Sequence, residues 1–304
     1  LILGAEVELA GPHGGSAHFL AYTPTLGAME ELSSFLGTEI TNICLSSQRA
    51  RMSILEVNEF VTRELGGMFF PAHAFTPFKG AYGNCVASLD ELGASFPAIE
   101  LGLSSDSDLA DRILELENVR FLSNSDAHSL PKIAREYNAL RLQTPDFAHL
   151  KKAIHGDDAN IILANYGLDP RLGKYHRTYC LKCDQVVVGE PPIVTCPTCS
   201  DGRVVLGVLD GIVTIAKGQE TIHPSHRPPY IYQIPLEFIP GVGPKTLTRL
   251  LDAFGTEMQI LHGATKEELA EVVGSSIAGK IVAARTGSLA MDVGGGGRYG
   301  RIQS

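Results

Sequence analysis

Four of the six cysteines have the spacing of a metal site. Cys180 and Cys183 form one C-x2-C pair, and Cys196 and Cys199 form a second pair. Each pair makes a tight turn that directs two thiolates to one point, and two such turns close a tetrahedral Zn²⁺ site. Disulfides or a redox pair are the alternative. We expect a structural zinc that is closed to substrate and supplies the folding free energy of a short segment.

A second group of candidate ligands lies near the ends of predicted strands in the first half of the chain. Its members are two carboxylates and three histidines: Glu6, His18, His73, Asp126 and His128. Asp126 and His128 are two residues apart, so in extended chain both would project to one side and reach the same metals. Such donors suit Zn²⁺, Mn²⁺ or Mg²⁺ and metal-assisted hydrolysis. Single histidines are more often ordinary surface or core residues, which is our interpretation of His13 and His149.

A third motif, at residues 239–247, resembles a helix-hairpin-helix. Gly241 and Gly243 would let the backbone turn tightly and expose N–H groups where a helix begins, and such groups can hold a DNA phosphate. Lys245 and Arg249 would add positive charge on that helix. A weaker second copy covers residues 273–281, after a Thr265-x-x-Glu268 capping box. A plain packing corner between helices is the alternative for each copy.

The composition places these motifs in an acidic chain without a membrane-spanning pattern. The net charge is −9, and the excess of acidic residues lies in residues 1–150, while the remainder is close to neutral. No apolar stretch reaches the roughly 18 residues needed to cross a bilayer. We expect a cytoplasmic, nucleoid-associated protein that does not contact membranes.

Short apolar runs alternate with helical patterns up to about residue 150, which predicts a parallel α/β sheet or barrel. The predicted strands are Ala17–Tyr22, Thr41–Leu45, Met68–Pro71, Ala98–Leu101, Val119–Leu122 and Ala139–Leu142. The predicted helices are Leu26–Leu36, Ile54–Leu65, Leu89–Phe96, Asp108–Glu117 and Asp146–His155. In such folds the chemistry lies in loops at the carboxyl ends of the strands.

Three regions follow from these patterns. Residues 1–167 form the α/β region, residues 168–227 the four-cysteine region, and residues 228–304 the helix-hairpin-helix region with a Gly-rich tail. We interpret 225–229 as a stiff linker because of its consecutive prolines. The four glycines at 294–297 predict a tail without regular structure.

The candidate metal ligands in the first half of the chain resemble the motifs of a known family. Gly4-x-Glu6, His18, His73 and Asp126-x-His128 resemble the later motifs of the polymerase-and-histidinol-phosphatase (PHP) family. That resemblance implies a distorted (β/α)7 barrel with a two- or three-metal phosphoesterase site. The order of α/β region, four-cysteine segment and helix-hairpin-helix resembles one branch of the family, the endonuclease Q family. Further stretches resemble that branch: 45–49, 82–85, 102–106, 173–177, 228–230 and 298–300.

One departure from the family pattern concerns its first motif. The PHP pattern opens with His-x-His, which these 304 residues lack. We interpret the missing ligands as lying in a lost upstream segment, because all five later ligands are present; a degenerate, inactive barrel is the alternative. On this interpretation the 304-residue chain is weakly active or inactive.

The resemblance implies a DNA-repair endonuclease that cuts the phosphodiester 5′ to uracil, hypoxanthine, xanthine or an abasic site. Glu6, His73, Asp126 and His128 would be catalytic and, with His18, would hold divalent metals. Arg49, Lys174 and Arg177 would hold the substrate strand, beside the hairpin residues. The expected partner is lesion-bearing DNA, with a sliding clamp as a further candidate. The alternatives are a PHP-type phosphatase of a small phosphoester, a non-catalytic DNA-binding adaptor and a helicase accessory protein.

Overall fold

The computed structural model describes residues 1–45, 48–200 and 202–303, so residues 46 and 47 of the 45–49 stretch lie outside the described residues. Strands and helices alternate through the first half, and helices dominate the last quarter. The strands are β1 (Leu3–Ala10), β2 (Ser16–Thr23), β3 (Met68–Pro71), β4 (Ala98–Glu100), β5 (Arg120–Leu122), β6 (Tyr137–Arg141), β7 (Ile161–Leu168), β8 (Tyr179–Cys180), β9 (Gln185–Val186), β10 (Val204–Val205), β11 (Tyr230–Gln233), β12 (Met291–Asp292) and β13 (Arg301–Ile302). The helices are α1 (Leu26–Gly37), α2 (Ile54–Glu59), α3 (Ser107–Ala110), α4 (Phe147–His155), α5 (Val208–Ala216), α6 (Pro244–Phe254), α7 (Lys266–Val273) and α8 (Ser275–Arg285).

The first sheet is antiparallel, with the order β1-β2-β3. The prediction of an all-parallel sheet is therefore wrong for these strands. The reason is the short turn between β1 and β2, in which Gly14 and Gly15 have φ values of +94° and +70°. A turn of this length can only reverse the chain, whereas parallel strands need a long crossover. The register places Glu8 opposite His18, on the same face of the sheet as Glu6.

The other α/β strands form two small sheets. β4 and β5 pair in parallel, and a second sheet has the order β11-β7-β6. β7 pairs with β6 antiparallel and with β11 in parallel. Neither β7 nor β11 was predicted from the sequence. Because β11 belongs to the region predicted to start at residue 228, that region contributes a strand to the α/β sheet. The (β/α)7 barrel implied by the resemblance stays a prediction.

Local signals account for most of the predicted elements. α1 and α4 occur as predicted, with Thr25 and Asp146 as side-chain N-caps. The helix predicted over 54–65 is α2 followed by a π-helical turn at Phe60–Glu64. The strand predicted over 41–45 is wrong, since the chain makes a turn there.

Two predicted helices are shorter than expected. The segment 89–96 contains only a 3₁₀ turn, which ends where Gly93 adopts φ +71°. The segment 108–117 breaks after Ala110. The next residue, Asp111, is buried, and its carboxylate receives the Arg227 guanidinium at 2.8 Å and His223 Nδ1 at 2.7 Å. This ion pair also fastens the predicted 225–229 linker to the α/β region, so the segment is not a free spacer.

Three apolar cores underlie the architecture. The largest holds the α/β strands together with α5. A second core packs α6, α7 and α8 against Leu168, which ends β7, and against Leu172, which follows it. The third is small and surrounds the four paired cysteines. Within the described residues, no helix combines the length and the apolar character needed to cross a membrane.

Candidate active site and metal centres

Glu6 in β1, His18 in β2 and His73 just after β3 form a cluster on the first sheet. His18 Nδ1 contacts a Glu6 carboxylate oxygen. His73 Nε2 lies 3.2 Å from His18 Nδ1 and 3.7 Å from Glu6 Oε1. One donor atom from each residue lies within 4.8 Å of the others, which is compact enough for one metal ion. The hydrogen bond from His18 is the largest cause that holds the pKa of Glu6 well below its ordinary value, and the hydrogen bond from His73 is the next. The Glu6 carboxylate is therefore anionic.

The surroundings of His73 orient its ring. The Thr76 hydroxyl donates to the His73 carbonyl oxygen, so it accepts from the ring Nδ1 at 2.9 Å. That contact leaves Nε2 free as a donor atom toward the cluster. His73 has φ +27°, a conformation that non-glycine residues rarely adopt. Opposite it, a Cβ on Gly102 would lie 3.0 Å from the His73 Cβ, so glycine at 102 leaves room for this arrangement.

Glu8 extends the cluster and was missed by the sequence analysis. Its carboxylate receives Lys79 Nζ and the Ser16 hydroxyl, the latter at 2.8 Å, and lies 3.6 Å from His18 Nε2. Burial alone would raise the pKa of Glu8, but these hydrogen bonds lower it. The alternation Glu6-x-Glu8 along one strand face was the signal that could have found it.

Glu100 is a second residue that the sequence analysis missed. It ends β4, and its 3% exposed carboxyl accepts a hydrogen bond from Asn124 at 3.0 Å. Burial is the main cause that raises the pKa of Glu100 to about 7. A buried carboxyl that interacts with Glu6, His73 and Asp126 favours a cation nearby. A charged residue inside the apolar run 98–101 was the available signal.

Asp126 and His128 lie on the loop after β5. Asp126 Oδ1 is 3.2 Å from His128 Nε2, so the two side chains do approach each other. The backbone is not extended as expected, because Asp126 has φ +43°. Neither residue belongs to the three-residue cluster, but both line the same cleft as His18, His73 and Glu100.

That cleft has a volume of about 520 Å³, within the range of ligand sites in proteins. Its lining includes the acidic and imidazole side chains of His18, His73, Glu100, Asp126 and His128, which we call the metal-binding wall. The same cleft is also lined by basic and aromatic side chains, which we call the basic wall: Lys132, Arg135, Lys174, Tyr175 and Tyr299. A cleft with both an acidic metal-binding wall and a basic wall is suited to a phosphate ester.

The four paired cysteines converge as predicted. Cys180 Sγ lies 3.5 Å from Cys199 Sγ, and Cys183 Sγ lies 3.9 Å from Cys196 Sγ. A tetrahedron with Zn–S bonds of about 2.3 Å has edges of about 3.8 Å. The residues after each pair, Asp184 and Ser200, both have φ +52°. The donor set and its spacing therefore fit a tetrahedral metal, and Cys44 and Cys85 lie outside it.

The helix-hairpin-helix residues occupy two turns. Gly241 has φ +99° before α6, which begins after Gly243, and Gly274 has φ +82° between α7 and α8. Lys245 is exposed on α6. Arg249 donates to the Val272 carbonyl at the end of α7, so it joins the two hairpins.

The remaining predicted DNA contacts are in different environments. Arg177 is mostly buried, with Nε 3.4 Å from Asp210 and Nη2 2.8 Å from the Gly189 carbonyl oxygen. Arg49 is exposed, and its backbone pairs with that of Glu8. Lys174 lines the cleft. Of these three residues, only Lys174 shares the cleft with the Glu6, His18 and His73 cluster.

Two solved structures resemble nearly the whole chain. One is the lesion-specific endonuclease PfuEndoQ from Pyrococcus furiosus, with a TM-score of 0.84 and 35% identity over 99% of this chain and 77% of that one. The other is an endonuclease Q complex with a 27-mer duplex substrate that has an abasic lesion at the active site. It has a TM-score of 0.85 and 34% identity over 99% of this chain and 78% of that one.

Sequence relatives and a family model agree with the fold. Protein YqxK of Bacillus subtilis is 46% identical over 310 residues, covering 100% of this chain and 78% of that protein. Protein MJ0043 of Methanocaldococcus jannaschii is 37% identical over 250 residues, covering 76% of this chain and 31% of that protein. The model of the SAM-like helix-hairpin-helix tandem matches residues 234–285, which confirms both hairpins.

A mixed α/β fold that carries this cleft and a tandem helix-hairpin-helix is that of a DNA-repair endonuclease. Within that class, the chain belongs to the endonuclease Q family.

Proposed function

We propose that the protein cleaves the phosphodiester 5′ to deaminated bases (uracil, hypoxanthine or xanthine) and abasic sites by metal-assisted hydrolysis. The observation that carries this proposal is the cluster of Glu6, His18 and His73, whose two histidines line the cleft of a fold shared with endonuclease Q. The bound DNA in one of those relatives, with its abasic lesion at the active site, supports the substrate class.

The chain's own residues would prepare the cleft for this reaction. Glu6, His18 and His73 would hold a divalent metal, with Asp126, His128 and Glu100 facing the same space. Zn²⁺, Mn²⁺ or Mg²⁺ bound there would supply neutralisation of phosphate charge and activation of water. Thr76 would keep His73 in the tautomer that offers Nε2. Lys79 would hold Glu8 beside His18.

The four-cysteine centre would have a separate, structural role. Four thiolates leave no position open for substrate, so a Zn²⁺ ion there would stabilise the fold of the 178–205 segment. Burial of Cys180 and Cys196 agrees with a site closed to solvent. A sliding-clamp partner and nucleoid association stay predictions.

A lesion panel tests the proposed specificity. Duplexes with one uracil, hypoxanthine, xanthine or abasic site are expected to be nicked by the full-length protein in the presence of a divalent metal. Matched duplexes with thymine or an undamaged base should react at least about a hundredfold more slowly, about 2.7 kcal/mol of discrimination. The measurement is the initial rate of nicking on denaturing gels. Equal rates on damaged and undamaged strands would contradict the proposal.

The first hairpin is expected to bind the DNA backbone and not the sequence. Lys245→Ala should weaken binding to all duplexes alike and reduce the salt dependence of binding by about one ion, because one phosphate contact is lost. Fluorescence anisotropy at several salt concentrations measures both quantities. Glu267→Ala, at an exposed acidic residue on α7, is the control and should leave the salt slope unchanged. A variant that changes lesion preference without losing general affinity would disprove this role.

A further inference from the structure

Two lysines from distant parts of the chain meet over one tyrosine ring at the basic wall of the cleft. Lys174 Nζ lies 4.8 Å, and Lys132 Nζ lies 5.7 Å, from the centroid of the Tyr299 ring. Lys132 follows the Asp126–His128 loop, Lys174 follows β7, and Tyr299 lies between β12 and β13. All three side chains line the same cleft as His18 and His73. The fold therefore brings three remote segments together beside the candidate metal ligands.

The Gly-rich tail fixes the position of this tyrosine. Gly297 N–H donates to the Lys174 carbonyl oxygen at 3.0 Å, and Gly300 N–H donates to the Leu172 carbonyl oxygen at 2.9 Å. A Cβ on Gly296 would lie 2.3 Å from the Tyr179 ring, so only glycine permits this close approach. The Tyr299 ring also packs edge-on against Phe238, with centroids 5.4 Å apart. The tail is thus a defined part of the cleft wall, although it has no regular structure.

The two ammonium groups are available to a ligand. Neither Lys132 nor Lys174 has an ion-pair partner within the part of the chain that the structure describes. Arg135 lies at the same wall; its Nε is 2.6 Å from Glu136 Oε1, while its buried Nη1 has no hydrogen-bond partner among the described residues. Lysine ammonium groups bind phosphate as point charges. Both ammonium groups lie within the distance at which an aromatic ring attracts a cation, so the Tyr299 ring can hold them in position.

We propose that Lys132 and Lys174, positioned by Tyr299, bind a non-scissile backbone phosphate of the strand that is cut. This inference rests on the proposed function and adds a substrate subsite to it. A phosphodiester at the metal-binding wall is covalently followed by further phosphates, and Lys132 and Lys174 line the same cleft without an ion-pair partner among the described residues, so they can receive one of them. The subsite would thereby set the register of the scissile bond relative to the metal ligands.

A charge-deletion cycle tests the subsite directly. A series of duplexes is prepared with one abasic site each. In each duplex one backbone phosphate near the lesion is replaced by an uncharged methylphosphonate, at a different position from one duplex to the next. Binding of the protein to each duplex is measured by fluorescence anisotropy. Lys132→Ala and Lys174→Ala are each expected to weaken binding about tenfold, as expected for loss of a charged hydrogen bond. Each substitution should also reduce the salt dependence of DNA binding by about one ion, because one phosphate contact is lost. At one position, the methylphosphonate should weaken DNA binding by wild type, and should weaken binding by each single variant clearly less, because only one of the two lysines remains to contact that phosphate.

Control variants separate this role from general effects. Lys152→Ala, at an exposed lysine on α4 outside the cleft, should retain the wild-type response to every methylphosphonate. Tyr299→Phe should also retain the wild-type response to the methylphosphonates, because the aromatic face that positions the ammonium groups is kept. Tyr299→Leu removes that face and should lose the response. If every methylphosphonate weakens the lysine variants as much as wild type, the subsite is disproved. If the wild-type protein binds this DNA but nicks no lesion, the proposed function fails, and the methylphosphonate binding measurements still show whether the subsite exists. If the protein does not bind DNA, both proposals are overturned.

Discussion

Replacing His73 by alanine in the full-length protein is expected to reduce nicking at uracil and abasic sites by about a thousandfold, or about 4 kcal/mol of transition-state stabilisation. His73 Nε2 faces Glu6 and His18 in the compact cluster, and Thr76 orients its ring. Binding of lesion DNA should change by less than about threefold, since affinity comes mainly from phosphate contacts elsewhere. Single-turnover rates and anisotropy measure the two quantities.

The chain offers a matched control for this variant. His149→Ala removes a histidine that contacts Asp146 at the start of α4, outside the cleft, and should leave nicking unchanged. Glu6→Gln preserves the shape of a second cluster residue and should lose activity to a similar extent as His73→Ala. Undiminished nicking by both His73→Ala and Glu6→Gln would show that the cluster does not support the reaction.

Replacing Cys180 by serine is expected to abolish binding of one zinc per chain and to unfold the segment 178–205. The reason is that the small core there consists largely of the cysteines themselves with Val187 and Ile193, so metal binding must supply much of its folding free energy. Metal analysis gives the zinc content, and hydrogen exchange of the segment gives its stability.

Cys44 provides the corresponding control. It is exposed and lies outside the four-cysteine group, so Cys44→Ser should retain the zinc and the protection of the segment. A zinc content that is the same in Cys180→Ser and Cys44→Ser would contradict a structural zinc site. So would a disulfide between any two of the four paired cysteines in the purified protein.

Motifs whose geometry is local were predictable from the sequence. The two C-x2-C pairs converge because each is a single turn, and the two hairpins follow from glycines at the turn positions. Glu6, His18 and His73 were identified because their side chains are metal donors and resemble the later PHP motifs, although Glu6 and His18 lie within β1 and β2 and not at strand ends as expected. Lys79 was missed because its contact with Glu8 joins segments far apart in the chain, which no local pattern records. Thr76 lies only three residues from His73, but nothing in the sequence shows that its hydroxyl contacts the ring.

Strand pairing was the least predictable part of the fold. Apolar periodicity predicts strands but not their partners, so it predicts a parallel sheet where the structure has the antiparallel sheet β1-β2-β3. β7 and β11 lie far apart in the chain, and contacts such as the Asn165 N–H donating to the Pro229 carbonyl oxygen at 3.0 Å join them. The Gly-rich tail has no propensity for structure, and contacts such as its close backbone packing against residues 171–179 define it.

Analysis of the reaction products tests the central claim most directly. A duplex with one uracil is incubated with the full-length protein and a divalent metal, and the fragments are identified by mass spectrometry. Hydrolysis 5′ to the lesion predicts a lesion-bearing fragment that starts with a 5′-phosphate and retains its uracil, with no free base released. Release of free uracil, or cleavage only on the 3′ side of the lesion, would contradict the assignment of this cleft as a lesion-specific endonuclease site.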